Sequence, residues 1–180
     1  MRPPRAWIAV VGPGSVASPD LAAALPELGA TPAVLAAAEE VGAAVAEADC
    51  GLVCGGLGGV MEAACRGARS RGGLTLGLLP GLDREEANGW VVVAVATGLG
   101  EARNALVVRA ADAVIAIGGG WGTLSEIALA LKTGVPVVGL ATWEPTIGGA
   151  PVDGIVPADR PRAAVDAALS QIFHSSARDL

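Results

Sequence analysis

The sequence predicts a three-layer α/β fold built on a mainly parallel, doubly wound sheet. Three observations lead there. Short apolar runs alternate with helical patterns along the whole chain. The runs are apolar throughout rather than at every second residue, as strands buried on both faces require. Several runs stop at clustered glycines just before the next helix, at 12–14, 55–59 and 118–122.

Residues 6–11 read as a first buried strand, closed by Gly12-Pro13-Gly14-Ser15. Residues 16–33, with three prolines, read as irregular, with a short helical turn near 20–25. The alanine-rich stretch 34–49 is helical, and 52–54 is a second strand ending at Gly55-Gly56-Leu57-Gly58-Gly59. A helix over 60–71 places Val60, Ala64, Gly67 and Ala68 on one face and Glu62, Arg66 and Arg69 on the other. Glu62 and Arg66 have the i, i+4 spacing of a surface ion pair. Gly72-Gly73 stops that helix before a third strand at 74–78, and 80–89 is a polar loop. Residues 90–96 alternate too little for an edge strand and read as a fourth buried one. A helix over 101–111, a fifth strand at 113–117, a helix over 123–133 and a sixth strand at 135–140 follow. Pro136 is tolerable only near that strand's beginning. Residues 142–151 read as a loop, and a last helix runs from Pro161 to about 173.

A length of 180 residues suits one domain spanning 1–180. With 52% hydrophobic and 17% charged residues, disorder is excluded. Aromatics are scarce, with no Tyr and only Phe173 of its kind, which fits helices packed closely on a buried sheet. The apolar excess points to a subunit interface and so to a homo-oligomer. The net charge of −6, without any Lys/Arg cluster, argues against a nucleic-acid partner. A small anion remains permitted, because backbone amides act locally. Cys50, Cys54 and Cys65 lack Cys-x-x-Cys spacing, and His174 is the one histidine, so no metal set assembles. The cysteines read as small buried hydrophobes in a reducing cytosol. The first apolar run is too brief for a signal peptide, and no run approaches the roughly 20 residues that cross a bilayer. A cytoplasmic protein without membrane contact is expected.

The most informative stretch is Gly118-Gly119-Gly120-Trp121-Gly122-Thr123-Leu124-Ser125-Glu126. Glycines at a strand-to-helix junction leave no Cβ in the way of a phosphate, and the helix start offers free N–H groups. Thr123 can cap the helix or bond a phosphate oxygen. A tight turn for close packing is the plainer explanation of the glycines. Leu124, Ile127, Ala128 and Leu131 have the spacing of a core stripe, which leaves Glu126 pointing elsewhere. Its carboxylate either complements the helix dipole or serves a ligand's ribose hydroxyls or a positively charged sugar. Gly55, Gly56, Gly58 and Gly59 form a second candidate cradle; the dinucleotide and P-loop spacings are absent. Gly12, Gly14 and Ser15 complete the glycine turns expected at the carboxyl edge of the sheet. Arg103, beside Asn104, is ill placed for a helix dipole and suits phosphate recognition, or else pairs with Glu101, Asp112 or another carboxylate.

In order and spacing, 53–62, Glu101-Ala102-Arg103-Asn104 and 118–126 resemble one Rossmann-like superfamily. It holds the molybdenum-cofactor carrier proteins and the Lonely Guy-type cytokinin nucleotide phosphoribohydrolases, formerly described as lysine decarboxylase-like. The resemblance spans about residues 6–140. The phosphoribohydrolase pattern Pro-Gly-Gly-x-Gly-Thr-x-x-Glu is matched at Gly119, Gly120, Gly122, Thr123 and Glu126. Gly118 stands in place of its proline, and Asn104 in place of the lysine of an Arg-Lys pair. The hydrolase branch implies Arg103 and Glu126 as a catalytic pair releasing base and ribose 5-phosphate from a nucleoside monophosphate. The carrier branch, which the two departures resemble more closely, implies binding of the molybdenum cofactor through its phosphate and pterin without chemistry. No pyridoxal-type lysine is identifiable. No cofactor is expected to be needed for the fold itself.

Overall fold

The structure, a computed structural model, describes residues 3–14 and 29–175. Ser15 and the expected turn near 20–25 lie outside the described residues. Trp7–Val11 forms β1 and Pro32–Glu47 forms α1; Gly51–Cys54 is β2 and Val60–Ser70 is α2. Thr75–Leu79 is β3 and Val93–Ala96 is β4, and a 3-10 turn at Gly100–Arg103 leads into α3, Asn104–Arg109. Ala113–Ile117 is β5, Trp121–Thr133 is α4 and Val137–Leu140 is β6. Thr146–Ile147 and Ala150–Pro151, β7 and β8, make a small antiparallel hairpin; Ile155–Ala158 is β9 and Pro161–Ser175 is α5.

Local chemistry sets several ends. Thr31 accepts a bond from the Val34 amide at 3.3 Å and Pro32 follows it, so α1 starts with a side-chain cap and a pre-set φ. Gly134, left-handed at φ +74°, closes α4.

Among the described residues, seven strands form one sheet in the order β4-β3-β2-β1-β5-β6-β9, and every pairing within it is parallel. Alternate residues feed two cores. Ile8, Val10, Leu52, Cys54, Ile115 and Ile117 pack under α1, α2 and α5, whereas Ala9, Val11, Val53, Val114 and Ala116 pack under α3 and α4. The result is a Rossmann-like sheet covered on both faces. The two helices α1 and α2 meet at glycines: a Cβ on Gly42 would sit 1.9 Å from the Ala64 carbonyl oxygen, and one on Gly67 would sit 1.8 Å from that of Glu39. Strand order reverses between β1 and β5, where a ligand crevice opens at the carboxyl ends of the strands. Among the described residues no helix is long and apolar enough to cross a membrane.

Several expectations need correction. The fourth strand is not buried: β4 is the sheet's edge, with Val93 and Val95 exposed. The sixth strand begins at Val137, with Pro136 just before it and the Pro136 carbonyl accepting from the Val114 amide at 2.8 Å. The helix expected over 101–111 begins as the 3-10 turn. In α4 the buried face is Thr123, Glu126, Ile127 and Ala130, one position round from the expected stripe, and Ala128 is exposed. Arg66 pairs with Glu39 of α1 at 2.7 Å instead of Glu62, because α1 lies close alongside. The hairpin falls within the expected loop, and β9 follows where no element was expected. Cys50, Cys54 and Cys65 are buried and free, as expected, with the Cys54 and Cys65 sulfurs 3.5 Å apart.

Candidate ligand-binding site

The turns after β1, β2 and β5 border one cavity of about 1180 Å³, far more room than a phosphate needs. Of the sequence-predicted residues, Gly12, Gly14, Gly55 and Gly58 line it from the first two turns. Gly119, Gly120, Gly122, Thr123 and Glu126 line it from the third, and Arg103 and Asn104 from the start of α3. Gly56, Gly59 and Gly118 shape the turns from behind. The Gly56 carbonyl accepts from the Asn88 backbone and side-chain amides, and Gly59 packs against Pro13 and Gly14. Gly118 has φ +63°, and its carbonyl accepts a bond from the Thr142 hydroxyl.

Helix α4 begins at Trp121, two residues before the expected start, with Gly120 as its cap residue and no side-chain cap. The first intrahelical bond runs from the Leu124 amide to the Gly120 carbonyl at 2.9 Å. The N–H groups of Trp121, Gly122 and Thr123 therefore have no partner within the helix. Thr123, at the third helical position, is not a capping residue. The start of α2 is less open, because the Val60 amide already donates to the Pro13 carbonyl at 3.0 Å.

Arg103 is brought in by the 3-10 turn and buried, with its guanidinium over Gly55. There an added Cβ would lie 2.5 Å from both terminal nitrogens. Its Nη1 stands 3.6 Å from Glu126 Oε1, and both side chains are more than nine-tenths buried. That distance lies beyond hydrogen-bond length. Burial raises the Glu126 carboxyl to about 8, although Arg103 pulls it down; Glu101 adds to the rise. At neutral pH Glu126 is mostly protonated, so Arg103 presents a buried positive charge that its neighbour does not fully neutralise. Among the described residues, the buried side-chain polar atoms without a hydrogen-bond partner are Arg103 Nε and Thr123 Oγ1. Both belong to residues that line the cavity.

Asn104 has a structural tie: its amide donates to Ser125 Oγ at 2.8 Å, and that hydroxyl donates to the Gly122 carbonyl at 2.7 Å. It fixes the first turn of α4 against α3. The sequence reading missed Trp121, which lines the cavity 61% exposed, and Trp143, which lies against it. An aromatic inside the glycine stretch was the available signal for Trp121. Trp143, 22 residues further on, left none.

Known proteins share this fold. The sequence matches the SLOG cluster4 family over residues 5–152, most of the chain. The chain belongs to that family. An uncharacterized protein of Archaeoglobus fulgidus is 48% identical to this SLOG cluster4 chain over 103 residues, which is 57% of this chain and 68% of that protein. The molybdenum cofactor binding protein of Rippkaea orientalis is 35% identical, with a TM-score of 0.77 over 96% of this chain and 99% of its own. The molybdenum cofactor carrier protein of Chlamydomonas reinhardtii is 30% identical, also at TM-score 0.77, over 94% of this chain and 99% of its own.

Proposed function

We propose that this protein binds and carries a small organic molecule ending in a phosphate, acting as one cytoplasmic ligand-binding domain. One observation carries the reading: two unpartnered buried polar atoms, Arg103 Nε and Thr123 Oγ1, on residues that line a cavity at the switch in strand order. Buried polar atoms are almost always paired, so these two are kept for a ligand's oxygens. The free N–H groups of 121–123 and the Arg103 charge add the polarity that a phosphate requires. Gly119, Gly120 and Gly122 leave its approach clear. The molybdenum cofactor, a pterin with a phosphate, is the cargo that the similar structures favour. A nucleoside monophosphate offers the same chemistry.

The Arg103–Glu126 pair favours a second reading. Water would cleave the N-glycosidic bond of a nucleoside 5′-monophosphate, giving free base and ribose 5-phosphate. Arg103 would orient the phosphate, and Glu126 would stabilise positive charge on the sugar. That role needs an ionised carboxylate, whereas burial keeps the Glu126 proton in place up to about pH 8. Binding without chemistry is the leading reading, because Gly118 and Asn104 also stand where the phosphoribohydrolase pattern has a proline and a lysine.

Titration calorimetry with molybdopterin and with adenosine monophosphate tests it, alongside chromatography for adenine. Saturable binding without adenine release is expected at pH 7. The affinity should fall between pH 7 and 9, as Glu126 ionises and its negative charge competes for Arg103. No saturable binding to either compound ends the proposal. Adenine release that disappears in Glu126→Ala replaces it with the hydrolase. We also read the open β4 edge, with Trp90, Val92, Val93 and Val95 exposed, as the contact between copies in a homo-oligomer. Light scattering at the mass of one chain would rule that out.

A further inference from the structure

We infer that Trp121, braced by Trp143, is the stacking seat for the flat heteroaromatic ring of the ligand proposed above. The inference rests on the phosphate site at Arg103 and Thr123 and deepens it.

Aromatic side chains are few in this chain, four Trp and one Phe in 180 residues. Two of the four tryptophans meet at the rim of the cavity, with ring centroids 5.6 Å apart and planes tilted by 34°. Trp143 is held there: its indole Nε1 donates to the Gly120 carbonyl at 3.1 Å, tying it to the glycine turn itself. Trp121 is the first residue of α4, next to the free helix amides and two positions before Thr123. It lines the cavity yet is 61% exposed, whereas Trp7 is half-buried in packing against the core. A tryptophan serving only the fold would hide most of its large apolar surface. An exposed indole steadied by a second, hydrogen-bonded indole is instead a stacking surface.

The neighbouring groups select the ligand's class. At one end, Thr123 and Arg103 bring the unpartnered polar atoms suited to phosphate oxygens. The cavity wall also carries the apolar Leu57, Met61 and Leu129. A purine or pterin joined to a phosphate presents both halves, and a bare sugar phosphate leaves the tryptophan uncovered.

The test compares ring-bearing and ringless phosphates by titration calorimetry. The probes are adenosine monophosphate and 6-hydroxymethylpterin phosphate on one side and ribose 5-phosphate on the other. Trp121→Ala should weaken the better-binding ring compound about tenfold, the scale of one lost base–aromatic stack. Ribose 5-phosphate should change by less than about twofold, and Trp121→Phe should recover most of the lost affinity. If Trp121→Ala weakens all three equally or none, or if ribose 5-phosphate binds the parent protein as tightly as the ring compounds, the ring seat is wrong and the phosphate site stands. If the parent protein binds none of the three, the phosphate site falls and the ring seat falls with it. A drop in oligomer mass in Trp121→Ala with affinities unchanged assigns the indole to a subunit contact and overturns the inference.

Discussion

Gly67→Ala unfolds at a lower urea concentration than the parent chain, with a loss of about 3 kcal/mol. In an open helix the same change is worth close to 1 kcal/mol in the opposite direction, because alanine is the better helix former. Packing reverses the sign. The new methyl would stand 1.8 Å from the Glu39 carbonyl oxygen and 3.0 Å from the Ala43 nitrogen, both main-chain atoms of α1 that cannot swing aside. To admit it, α1 has to retreat from α2 along its whole contact, and Gly42 against Ala64 is the matching point on the other side. That withdrawal loosens Val41, Val45 and Ala64 in the core. Urea melts read by circular dichroism measure the loss. A midpoint equal to or above the parent's refutes the close-crossing argument.

Gly55→Ala leaves the fold standing and impairs the site. Its Cβ would meet Arg103 at 2.5–2.6 Å, and what it meets is the far end of a flexible side chain. The guanidinium can yield, but only by leaving its position over the β2 turn beside Glu126. Phosphate affinity should drop by about 10- to 100-fold, the usual worth of a hydrogen bond to a charged group. The urea midpoint should move little. Calorimetry with adenosine monophosphate and a urea melt on one preparation separate the two effects. Unchanged affinity in a folded Gly55→Ala protein would show that Arg103 does not hold the ligand.

How far the molecule could be read from its residues depends on whether a feature is local. The glycine turns at 12–14 and 118–122 announce themselves because bare backbone at a strand end has few other uses. The strands between them are uniformly apolar for the same local reason, burial on both faces. What failed depended on remote partners. The strand Ile155–Ala158 holds a proline that only an edge position such as β9 accepts, and that position is set by its neighbour β6 rather than by its own stretch. The valines of β4 look buried because nothing in their own stretch says that no strand lies beyond them. Glu126 turns inward because Arg103 waits on another element, so helical periodicity misjudged the buried face of α4 by one position. The early start of that helix, set by the extended Gly120, is what brings Trp121 to the cavity.

The turn into α4 has one more consequence, and it concerns ancestry. The phosphoribohydrolase pattern that this chain resembles carries a proline where Gly118 stands. Gly118 sits at φ +63°, and a pyrrolidine ring holds φ near −65°. A single codon change therefore cannot convert one loop into the other. The backbone would have to turn over, and the Thr142 hydroxyl bond to the Gly118 carbonyl would have to be re-formed in another geometry. The Gly118→Pro variant should therefore unfold at a lower urea concentration than the parent chain.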